Sequence, residues 1–111
     1  MNELRGQTSI ELGKDTHEVL LNLNAFRLLC KDKTMELTAL DEFVNSDPLD
    51  FVPSVIYWGI MNAQDIKGQP RPEINFDHMS AIICSDLETF TELSEAVGQS
   101  MGSTGGSKEG N

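Results

Sequence analysis

The chain has 111 residues, enough for one domain built around one modest core. Its 18 acidic residues outnumber 8 basic ones, and a net charge of -10 repels nucleic-acid phosphates and anionic membrane surfaces. A hydrophobic content of 39% argues for a folded chain rather than a disordered one.

The first six residues lack the basic segment and apolar core of a secretory leader, and no apolar stretch approaches the roughly 20 residues of a transmembrane helix. Cys30 and Cys84 are far apart and fall in apolar helical patterns, so both are expected to be reduced core residues in a cytosolic setting.

Residues 7–23 are expected to form a β-hairpin. Ile10 and Leu12 alternate with Ser9 and Glu11, and Val19, Leu21 and Leu23 repeat at every second position beyond a Gly13-Lys14-Asp15-Thr16 turn. A hairpin alone is marginal in water, so it must lie against helices. Asn24 is placed to cap a short helix carrying Phe26, Leu29 and Cys30. A second helix is expected over 38–45, with Thr38 and Asp41 as a capping box and Leu37, Leu40, Phe43 and Val44 on its apolar side.

The stretch from Phe51 to Ala63 is apolar on nearly every side and holds the only Trp and the only Tyr. Pro48 suits a first helical turn, but Pro53 removes a hydrogen bond from any helix that contains it. Two arrangements remain, a short turn at 48–51 followed by a helix from Pro53 to Ala63 or a single kinked helix, and the first is favoured because the residue before a proline resists the α conformation. A helix apolar all round needs cover on several sides, and in a chain this short some of that cover is expected from another molecule. Gly59 offers a place for a second helix to approach closely.

Gly68-Gln69-Pro70-Arg71-Pro72 reads as a loop. Asn75 caps a helix with Phe76, Met79, Ile82 and Ile83 at helical spacing, and Ser85-Asp86-Leu87-Glu88 is a capping box opening the last helix. Leu87, Phe90, Leu93, Val97 and Met101 form the apolar stripe of that helix, with Glu88, Glu92 and Glu95 outside. The expected fold is α+β and mostly α: an N-terminal hairpin packed on four to five short helices. Residues 1–101 form a single domain, and 102–111 a flexible Gly/Ser-rich tail.

Residue chemistry gives little reason to expect an enzyme. No Gly-rich loop sits between a strand and a helix, and neither His17 nor His78 has partners at metal-ligand spacing. A Cys84–histidine pair would require a buried thiol to act as a nucleophile, and the Asp41/Glu42 and Asp47/Asp50 pairs sit where helix starts account for them. No cofactor or metal is expected. Tyr57, Trp58, Ile60 and Met61, with Leu87, Phe90, Leu93 and Val97, are the candidate partner-binding residues.

The order of these elements carries a resemblance. A short hairpin runs into Asn22-Leu23-Asn24-Ala25-Phe26, then a small helix, an apolar helix containing Tyr57-Trp58-Gly59-Ile60, a capped helical pair and a Gly/Ser tail. Over residues 7–101 this resembles the small tail assembly chaperones of long-tailed bacteriophages and the related proteins of phage-like gene transfer agents. The resemblance implies a non-enzymatic protein of the bacterial host cytoplasm, absent from the mature virion. Such a protein binds the tape measure protein, helps recruit tail tube subunits and self-associates as a homo-oligomer. Many proteins of that family are made in two forms, the longer by ribosomal frameshifting, and in such a form 102–111 would begin the linker. Two other readings stay open: a small structural or joining protein of the head–tail region, and an acidic regulatory protein that inhibits a host factor. None of them involves nucleic acid or membrane as a partner.

Overall fold

The hairpin forms where the alternation places it. In the computed structural model, which describes residues 7–104, strands β1 (Gln7–Leu12) and β2 (Asp15–Leu20) pair antiparallel, with Gln7 opposite Leu20 and Leu12 opposite Asp15. The two-residue loop between them has Gly13 at φ 67°, the pattern of a type II′ turn, in which the first loop residue needs positive φ. Both Val19 and Leu20 are buried, because the end of β2 is covered on two sides.

The strand ends at Leu20, not at 23. Leu21 turns into the core, Asn22 takes an extended conformation, and α1 (Leu23–Lys33) starts at once with Leu23 exposed to solvent. Asn22, not Asn24, is the cap: its side chain accepts from the backbone N–H groups of Asn24 and Ala25. Likewise, Thr38 caps nothing. It lies within a 3-10 turn at Leu37–Ala39 that runs straight into α2 (Leu40–Ser46), and backbone bonds from Ala39 to Glu36 and from Leu40 to Leu37 take the place of a side-chain cap.

The largest departure from expectation is α3. It is one continuous helix of 20 residues, Pro48–Lys67, with Pro48 in the first turn and Pro53 inside. Proline at 53 removes the donor that Leu49's carbonyl would otherwise receive, at about 3 kcal/mol. Against this, Phe51, Val52, Val55 and Ile56 are all fully buried, each contributing roughly 1.5–3 kcal/mol. Packing therefore decides, and the Sγ of Cys84 comes to 3.8 Å from the stranded Leu49 carbonyl. The helix ends at Gly68 (φ 72°), with Gly68 N–H bonded to Asp65 and Gln69 N–H to Gln64.

Helices α4 (Phe76–Ile83) and α5 (Leu87–Thr104) complete the fold. Asn75 caps α4 as its sequence suggests, accepting from the His78 N–H at 2.8 Å. At α5 the capping residue is Asp86, one step later than Ser85: it accepts from Glu88 N–H and Thr89 Oγ1, whereas the Ser85 hydroxyl donates back to Ile82. Helix α5 also continues through Thr104, so 102–104 are helical rather than part of a tail; residues 105–111 and 1–6 lie outside the described residues. Cys30 is buried, and burial pushes its thiol pKa up, but Cys84 at the end of α4 is exposed rather than a core residue.

The architecture is thus α+β and mostly α, with α3 at its centre. β2, α1, α2, α4 and α5 all pack against it. From Phe51 to Ile56 the helix is covered by its own chain, so no second molecule is needed to bury that stretch. At Gly59 the close neighbour is a strand, not a helix. A Cβ there would lie 2.6 Å from Val19 Cγ1 and 2.8 Å from Leu21 Cδ2.

Near that crossing a polar clamp ties α3 to the start of α1. Asn62 on α3 is fully buried, and its Nδ2 donates to the Leu20 carbonyl (2.9 Å) and to Asn22 Oδ1 (2.8 Å). Its Oδ1 accepts from Asn24 Nδ2 at 2.7 Å, and Asn24 Oδ1 accepts from Arg27 Nε. A buried amide so nearly satisfied fixes the register between hairpin, α1 and α3.

Candidate functional site

Within the buried middle of α3, one turn reaches the surface. Tyr57 and Trp58 are the only half-exposed residues between Phe51 and Ala63. Their rings meet edge to face, with centroids 5.2 Å apart at 85°, and Phe76 meets Tyr57 the same way at 5.7 Å and 82°. The Asn75 cap sets the start of α4 and therefore the position of Phe76.

The loop leading to α4 folds back over this cluster. Arg71 places its guanidinium 5.5 Å from the Trp58 ring centroid and is held there by two hydrogen bonds to Asp65, Nε to Oδ1 at 2.9 Å and Nη2 to Oδ2 at 2.6 Å. The Arg71 hydrogen bond holds the Asp65 carboxyl below the usual carboxylate range; partial burial opposes this, and the charges of Arg71 and Arg27 add to it.

Beside the rings lies an open depression of about 370 Å³, lined by Asp32, Lys33, Ser54, Tyr57, Trp58 and Phe76. Ser54 is buried and its Oγ has no hydrogen-bond partner, a condition that costs about 1–3 kcal/mol unless something fills it. Lys33 is engaged elsewhere: its Nζ is 3.4 Å from Asp50 and lies over the Phe43 ring. Asp32 makes no ion pair among the described residues.

The eight candidate partner-binding residues separate into three groups. Tyr57 and Trp58 form the aromatic corner. Ile60, Met61, Leu93 and Val97 are core, Met61 being only 2% exposed, and cannot meet a partner without opening the fold. Leu87, 80% exposed, and half-exposed Phe90 lie at the start of α5. Leu49, 60% exposed, lies at the same end of the molecule, because Cys84 Sγ rests against the Leu49 carbonyl three residues before Leu87. Two separate apolar surfaces therefore exist. The sequence did not point to Asp32, Ser54, Arg71 or Phe76 as parts of the first. The only local signal was the Asp65–Arg71 pair flanking a helix-ending glycine.

His17 is half-buried in β2 opposite Ile10, and His78 is exposed in the first turn of α4. Among the described residues, no group of three or more His, Cys, Asp or Glu is placed to hold a metal ion, and no helix is long and apolar enough to cross a membrane. No family model, curated protein or solved structure matches this chain.

Proposed function

We propose that this chain is a non-enzymatic protein-binding module acting as a phage tail assembly chaperone, which holds the tape measure protein and helps recruit tail tube subunits. The observation that carries the reading is the pairing of an aromatic recess with a separate exposed apolar patch on a strongly acidic domain. A chaperone of a long amphipathic helix needs an apolar contact surface for the client, a second one for a sister subunit, and net charge enough to keep the assembly soluble. The order of hairpin, short helices, apolar helix and capped helical pair, on which the resemblance rests, agrees with the same reading. The protein would act in the host cytoplasm as a homo-oligomer and be left out of the finished particle.

The proposal predicts that a long, helix-rich protein is encoded beside this chain, and co-expression with that protein tests it; a neighbourhood without such a reading frame overturns it. The client is expected to be soluble only with the chaperone and to co-elute with it at a mass, by light scattering, of several chaperone copies. A client equally soluble alone, or one that never co-elutes, overturns the reading.

A further inference from the structure

We infer that the recess beside Trp58 is a site for the basic side chain of a protein partner, a lysine ammonium or an arginine guanidinium. The inference rests on reading this face as protein-binding, but not on which protein binds. Four observations converge on a cation. Tyr57 stands edge-on to both Trp58 and Phe76, so the recess has aromatic walls at steep angles to the Tyr57 ring, an arrangement that can offer an organic cation negative ring faces. The Trp58 ring already holds the Arg71 guanidinium at 5.5 Å, which shows that a cation is accommodated there. Arg71 is not among the residues lining the recess, so the recess itself is left for a second group.

Charge and hydrogen bonding complete the argument. Asp32 supplies at the recess a carboxylate that makes no ion pair among the described residues, while the ammonium of Lys33 is tied to Asp50 and Phe43. Ser54 Oγ lines the same recess, buried and without a partner, so its lone pairs can accept from an N–H of the incoming group. A neutral apolar side chain would leave buried Ser54 Oγ without a partner and would gain nothing from the Asp32 carboxylate. The net charge of -10 also draws basic partners toward the whole domain.

Trp58 is the only tryptophan, so in the folded protein its emission follows the surroundings of this recess. The test titrates the intact protein, at fixed ionic strength, with the N-acetyl N-methylamides of lysine, arginine and norleucine. The two cationic probes are expected to shift Trp58 emission saturably and to bind at least about threefold more tightly than norleucine, the neutral near-isostere of lysine. Asp32→Asn, at an exposed position near the end of α1, should weaken the cationic probes about fivefold and leave norleucine unchanged. Ser54→Ala should weaken the cationic probes less. Equal binding of norleucine, no saturable response to any probe, or an Asp32→Asn variant with unchanged lysine affinity would each overturn the inference. Client co-expression fails or succeeds separately, so a wrong partner and a wrong recess chemistry give different results.

Discussion

Asn62→Ala tests whether the polar clamp or the apolar packing alone fixes the hairpin on α3. The substitution strips the Leu20 carbonyl of its donor in a buried place, which costs about 1–3 kcal/mol. Asn22 Oδ1 keeps its two backbone donors, so its loss is small. Asn24 Nδ2 is half-buried and recovers some water, adding roughly 0.5 kcal/mol, and the small cavity left behind adds about 1 kcal/mol. The sum is about 3 kcal/mol, a large share of the 5–15 kcal/mol typical of a domain. Urea unfolding followed by Trp58 fluorescence reads it directly as a shift in midpoint at unchanged slope. Asn62→Asp keeps the shape but turns the donor toward Leu20 and Asn22 into an acceptor, so it should cost more than alanine at neutral pH. A double-mutant cycle with Asn24→Ala should show coupling of about 1 kcal/mol. A loss below about 1 kcal/mol for Asn62→Ala, or strict additivity with Asn24→Ala, would refute the clamp.

Three further outcomes follow from the geometry. Gly59→Ala gains about 1 kcal/mol of helix propensity but drives a methyl into Val19 and Leu21, an overpacking cost of about 1–3 kcal/mol, so it should destabilise by about 1 kcal/mol net. Gly98→Ala, in α5 with open space around it, should instead stabilise by up to about 1 kcal/mol, and thermal melts of the pair separate packing from propensity. Met61→Gln buries an amide in the core and should cost about 2–4 kcal/mol in urea unfolding, whereas a surface role for Met61 predicts a change below 0.5 kcal/mol. For Asp65 the folded pKa is depressed, chiefly by the Arg71 hydrogen bond, so its stabilisation is present above the unfolded carboxylate pKa and is lost as pH falls through the lower folded value. Asp65→Asn should therefore be less stable than the parent at pH 7, and the gap should close as the pH is lowered below about 4.

Most elements were legible in the sequence, as was the Asn75 cap of α4, but the caps of α1 and α5 were not, and for those two the reason is the same. Neighbouring polar residues compete for the capping position, and a distant contact decides the winner. Asn22 caps α1 because Asn24 is drawn toward Asn62, 38 residues away. Asp86 caps α5 because Ser85 bonds back to Ile82. At Pro53 the local rule against an interior proline is correct about its cost, and the burial of Phe51 through Ile56 outweighs it.

The site followed the same logic. Tyr57 and Trp58 were visible as the unique aromatics of an apolar run. Asp32, Ser54, Phe76 and Arg71 join them only because α1, α4 and the loop before α4 converge on α3. The apolarity that first marked α3 as an interface instead marks it as the element that β2, α1, α2, α4 and α5 pack against, since a helix largely covered by its own chain has the composition of one covered by a partner. What singles out the proposed binding face is the break in that burial at Tyr57 and Trp58, where the helix keeps large rings half in solvent beside a carboxylate without an ion pair and a buried hydroxyl without a hydrogen-bond partner among the described residues. A core helix with no partner to meet would be expected to close that gap with an aliphatic residue.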